Sequence, residues 1–102
     1  MTQIEDTLSE RGDRYGPFTG HAHITQMIKA AIAPIKPKLD RMIASGRLRR
    51  DQADAIVECL DMVAHKIGRI VNGDPLYHDS WHDIIGYVRL VEKMLEEMEN
   101  VE

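Results

Sequence analysis

An all-α fold, a small helical bundle, is the class this sequence predicts, and three observations predict it. Apolar residues recur at steps of three and four along three separate stretches. Glycines and prolines stand at the ends of those stretches, where helices stop. No segment alternates apolar and polar residues as a half-buried strand would.

Residues 2–10, TQIEDTLSE, can form a short helical turn with Ile4 and Leu8 on one side. RGDRYGPFTGH, residues 11–21, carries three glycines and a proline and reads as a loop. From about His23, Ile24, Ile28, Ile32, Ile35 and Leu39 mark a helix interrupted by Pro34 and Pro37. A proline removes a backbone donor and clashes with the preceding turn, so a kink or two shorter helices meeting near Ala33 are expected. The second piece ends near Gly46. A long helix should run from an N-cap at Asp51 to Asn72, with Gly73 closing it. A further helix opens near Asp79 or Ser80 and ends in the acidic tail. The expected organisation is one domain, residues 1–102, with residues 1–22 an N-terminal segment and ligand loop and residues 23–102 the bundle.

At 102 residues the chain builds a modest core, and a partner subunit could supply the rest. The net charge of −4 argues against binding a nucleic acid polymer, which needs a basic stripe. Cys59 is the only cysteine, so no internal disulfide forms. No apolar run is long enough to span a bilayer, and the polar, acidic N-terminus does not read as a secretory signal. The expectation is a cytoplasmic protein with no membrane partner.

On the long helix, Ile56, Leu60, Val63, Ile67 and Ile70 share one arc, and Glu58, Asp61, His65, Arg69 and Asn72 share the opposite one. A polar stripe of this kind is what any surface helix shows. Glu58 and Asp61, three apart, are also neighbours whose repulsion a divalent cation would relieve. On the last helix Asp83 points the same way as Tyr87, Leu90 and Met94, and Asp79 lies one turn before it. A buried carboxylate needs a cation, hydrogen bonds or a proton. Asp83 could bond Tyr87 or a backbone amide, or see solvent at the end of the bundle. It could instead join Asp79, Glu58 and Asp61 around a metal ion.

The pattern of two acids three apart on one helix, then acids at the start of the next, resembles the all-α MazG-like nucleotide pyrophosphohydrolases. ECLD supplies Glu58 and Asp61, with Asp where the family usually has Glu. SWHD supplies Asp83, with Ser80 where an acid is expected and Asp79 as its substitute. ERGDRYGPF and LDMVAHKIGRIVNGDPLYHDSWHDIIGY resemble, more closely, small phage-type dATP/dGTP diphosphohydrolases. The resemblance implies a bundle completed as a homodimer or homotetramer. It implies Mg²⁺- or Mn²⁺-dependent release of pyrophosphate from a nucleoside triphosphate, a purine deoxynucleotide by preference, in the cytoplasm (the host's, if the chain is phage-encoded). It assigns metal binding to Glu58, Asp61, Asp79 and Asp83, and catalysis to Glu58, Asp61 and Asp83. Lys66 and Arg69 would hold phosphate, while Arg11, Arg14 and Tyr15 would close over the nucleotide.

Two rivals remain on the residues alone. The His78-Asp79 and His82-Asp83 pairs fit an HD-type phosphohydrolase poorly, because no aspartate follows Asp83. A non-enzymatic helical interaction module needs no site at all. His21 and His23 have no partner spacing of interest and read as capping or surface residues.

Overall fold

The computed structural model describes residues 2–100. It contains five helices and, among the described residues, no strand: α1 Gln3–Tyr15, α2 Phe18–Ile32, α3 Ile35–Ala44, α4 Arg50–Asn72 and α5 His78–Glu99. The all-α expectation holds.

The expected loop at residues 11–21 is mostly helix. α1 continues through Gly12 to Tyr15, and α2 starts at Phe18 instead of near His23, leaving only Gly16 and Pro17 between them. Local chemistry explains the extension. Thr2 Oγ1 accepts from the Glu5 amide at 3.3 Å and Glu5 Oε2 accepts from the Thr2 amide at 3.2 Å, a reciprocal cap at the start. Arg14 and Glu10, four apart, pair at 2.6 Å near the end. These offset the roughly 1 kcal/mol that a mid-helix glycine costs. Pro17 then opens α2, where a missing N–H is harmless.

The remaining boundaries follow the sequence. The Ala33-Pro34 pair separates α2 from α3, and Pro37 is accommodated because it falls in the first turn of α3. Gly46, at φ +80°, follows the end of α3. α4 begins one residue before the expected cap: Asp51 lies inside its first turn and pairs with Arg49 at 3.0 Å.

α4 is the spine, with α2 and α5 packed along it and α3 against its first turns. The apolar core is small: Leu39, Leu48 and Ala53 cluster where α3 meets α4, and Ala64 is buried further along. The molecule is long, 57 × 25 × 24 Å, with a radius of gyration of 16.9 Å, against roughly 13 Å for a compact chain of this length. Large apolar side chains stay exposed, among them Trp81, Ile85, Val88 and Leu95, which form one stripe on α5. No described helix is long and apolar enough to cross a membrane.

Candidate functional site

The polar arc of α4 is a solvated face only in part, with Glu58 exposed at its start. Its second half turns toward α2 and the α1–α2 corner. Asn72 donates through Nδ2 to the carbonyls of Tyr15, at 2.9 Å, and Pro17, at 2.8 Å. The Asp74 amide donates to the Arg14 carbonyl at 2.7 Å. Gly16 and Gly20 leave room for Asn72, and Gly73 sits against Arg14 and Tyr15. The end of α4 thus clamps the corner in place.

A cleft of about 690 Å³ opens beside this clamp, lined by Leu8, Arg11, Tyr15, Phe18, His21, His65 and Arg69 and the backbone of the corner. The Arg69 guanidinium stacks over the Tyr15 ring at 4.2 Å, and Tyr15 meets Tyr77 edge-on at 6.2 Å. Among the described residues, no acidic side chain lines the cleft. It therefore offers aromatic faces and two guanidinium groups in one place.

His21, expected on the surface, is buried, and its Nε2 lies 3.2 Å from His65 Nδ1. It stays inside because Gly68 on α4 lets α2 approach: a Cβ there would stand 2.6 Å from Thr25 Oγ1 and 3.0 Å from His21 Nδ1. Among the described residues, neither of those buried atoms has a hydrogen-bond partner. Burial, and then the charge of Arg69, lowers the pKa of both rings; His65 is pushed down to about 4.

The consequence for stability has a definite sign. Both histidines titrate below their ordinary value of 6.5, so the unfolded chain takes up protons first as the pH falls. Stability should hold above about pH 6.5 and decline between there and about pH 4. His65 keeps some solvent contact, so its share of the loss should be on the order of 1–2 kcal/mol. Urea unfolding at pH 7 and pH 5 measures this, and a His65→Leu variant should show a smaller decline. A decline no smaller in that variant would refute the assignment.

The other expected site residues are dispersed. Arg14 pairs with Glu10 and stacks over Tyr77 at 5.1 Å, outside the cleft. Lys66, mostly buried, bonds Asp83 at 2.8 Å. That ion pair answers the inward carboxylate: the Lys66 bond, foremost, holds Asp83 below the usual carboxylate range. Asp79 is exposed and accepts from the Tyr77 hydroxyl at 3.1 Å, whereas Ser80 takes the buried position. Glu58 borders a separate hollow with Lys36, Asp40 and Arg50, and Asp61 another with Lys29 and Lys36.

The antiparallel pairing of α4 with α5 explains the dispersal. Cys59 Sγ reaches the Tyr87 carbonyl and Lys66 reaches Asp83. Glu58 therefore lies roughly 10 Å along the axis from the level of Asp83. Among the described residues, no three His, Cys, Asp or Glu side chains gather as a metal ion would require. Their hard oxygens are the right class of donor for Mg²⁺, but within one chain their placement does not fit it. Set beside family models, curated proteins and solved structures, the chain matches none of them.

Proposed function

We propose that the α1–α2 cleft binds a nucleoside triphosphate and that the protein is a nucleotide pyrophosphohydrolase of the MazG-like type, acting on a purine deoxynucleotide such as dATP or dGTP. The observation that carries the reading is the cleft itself. Arg11 and Arg69 line it beside Tyr15 and Phe18, and among the described residues no acidic side chain joins that lining. Guanidinium groups bind phosphate oxygens in bidentate fashion, and aromatic faces stack on a base. Few ligands other than a nucleotide ask for both.

The reaction adds water across the bridge between the α and β phosphorus atoms and yields a nucleoside monophosphate and pyrophosphate. Glu58, Asp61 and Asp83 are the candidates to take the water's proton. Because one chain keeps these acids apart, the reading includes a homodimer or homotetramer. The exposed stripe of Trp81, Ile85, Val88 and Leu95 favours such an assembly, since a lone bundle would leave it in water. The requirement for Mg²⁺ or Mn²⁺, with Asp79 as the fourth acid, rests on the resemblance.

The same stripe favours a second reading, a helical module that binds a partner helix. One experiment separates the two: purified protein is given a panel of nucleoside triphosphates with Mg²⁺, and pyrophosphate release is followed. Turnover of a purine deoxynucleoside triphosphate by a species that sediments as a dimer or larger is expected. No turnover of any triphosphate, together with no nucleotide binding, would favour the interaction module.

A further inference from the structure

α5 carries two seams, and the chain fills one of them. Ser80, Ile84, Tyr87, Val91, Met94 and Met98 follow one another at steps of four and three, and all are buried or half-buried. This seam lies on α4, the helix against which α5 makes its extensive packing. Trp81, Ile85, Val88, Glu92 and Leu95 repeat the same steps one residue further on. The four apolar members of this second seam are between 43% and 66% exposed. A surface helix needs one apolar stripe, facing its own core. Two stripes of coiled-coil spacing on adjacent sides belong to a helix with two helical neighbours, and among the described residues only α4 takes such a place.

The uncovered surface agrees. The chain exposes 7397 Å², against roughly 5,800 Å² for a compact monomer of 102 residues. That surplus exceeds the ~800 Å² that each partner buries in a standard interface. Charge along the seam then selects both occupant and direction. His78 and His82 stand at its start, where the helix N-terminus is positive, while Glu92, Glu96, Glu97 and Glu99 crowd its end. The complement this asks for is apolar at steps of four and three, with the charge reversed along it, and that is the same seam turned end to end. An antiparallel copy sets each acidic end beside the other's histidine end and opposes the two helix dipoles. A parallel copy would set Glu92 against Glu92 and acidic end against acidic end.

We propose that the outer seam of α5 is an isologous docking surface for α5 of a second copy of this chain, antiparallel, with the twofold axis between Ile85 and Val88. Ile85 then lies across from the partner's Val88, and Trp81 from the partner's Glu92. The one acid in the seam is already neutralised: within each chain Arg89 holds the Glu92 carboxylate at 2.6 Å. The nucleotide reading asks only for some assembly. This inference fixes the face and its direction, and it is tested without a nucleotide.

Sedimentation and cross-linking test the proposal. At micromolar concentration the native protein should sediment as a dimer or a multiple of one. Ile85→Glu puts a carboxylate at the centre of the seam and should weaken association on the order of a hundredfold. Ile85 is exposed in the single chain, so the variant should keep its helix content. Direction is read with a short bis-maleimide in a Cys59→Ser background, where serine keeps a donor for the Tyr87 carbonyl. Val88→Cys should link the two copies, because both positions lie near the axis. Leu95→Cys should not, because antiparallel helices hold the two residues roughly 25 Å apart along the seam. Three results would overturn the docking surface: a dimer that survives Ile85→Glu, no link through Val88→Cys, or a native monomer, as a foreign helix in the seam would leave it. A link through Leu95→Cys would overturn the direction. Pyrophosphate release by the native protein is scored separately, so a wrong seam and a wrong hydrolase reading are told apart.

Discussion

Gly16→Ala is expected to destabilise the protein by roughly 3 kcal/mol. Gly16 has φ +75°, where a side chain costs about 1–2 kcal/mol by itself. Its added Cβ would also fall within contact radius of the Asn72 carbonyl and side chain. That backbone cannot yield without withdrawing Asn72 from the Tyr15 and Pro17 carbonyls, which it bonds. The melting temperature should fall on the order of 15 °C. Gly12→Ala is the control. Gly12 is helical with nothing within 4 Å of its would-be Cβ, so alanine there should be neutral or stabilising by up to about 1 kcal/mol. Similar melting temperatures for the two variants would show that the corner is not clamped as described.

Arg69→Ala should weaken binding of a nucleoside triphosphate by roughly tenfold to a hundredfold, the range of one to two charge-assisted hydrogen bonds. Its guanidinium lines the cleft and is held flat over Tyr15. Arg69→Lys should recover only part of the loss, since an ammonium group cannot make the bidentate contact. Arg14→Ala supplies the contrast. Arg14 is already paired with Glu10 and stacked on Tyr77 away from the cleft, so its removal should change affinity less than threefold. Equal losses for the two arginines, measured by titration calorimetry, would mean that a general positive field attracts the ligand, with no particular role for Arg69.

These contrasts also mark where the sequence was informative. Pro34, Gly46 and Gly73 act on the backbone next to them, so the boundaries of α3, α4 and α5 could be read directly. Helical periodicity put Asp83 on an inward arc, but its side chain is 43% exposed and Leu90 on the same arc is exposed too; what draws the carboxylate toward α4 is Lys66. That partner could not be read from periodicity, because Lys66 pairs with Asp83 across two helices, and a lysine assigned to phosphate turned out to be engaged. The α1–α2 corner was misread for a related reason. Three glycines and a proline look like a loop when each is judged alone, but Gly16 and Gly20 are small to admit Asn72, some 50 residues away. The Thr2–Glu5 cap was the local clue that a longer helix begins there. Arg11, Tyr15 and Arg69 were found by type, and they do share one cleft. His21 was missed because no spacing rule links it to a histidine 44 residues later; Gly68, which opens the space for it, was the only trace.

The claim on which the rest depends is that a nucleotide occupies the cleft at the α1–α2 corner, and the five histidines allow it to be tested in one spectrum. His21 and His65 line that cleft, whereas His78 and His82, stacked on each other at 5.7 Å at the start of α5, do not. Imidazole resonances are followed by NMR as dATP or dGTP is added in the absence of a divalent cation, so that no hydrolysis of the kind proposed intervenes. The His21 and His65 signals should shift with saturation, and those of His78 and His82 should stay within the line width. Saturable shifts confined to His78 and His82, or no shift at all at millimolar nucleotide, would contradict it.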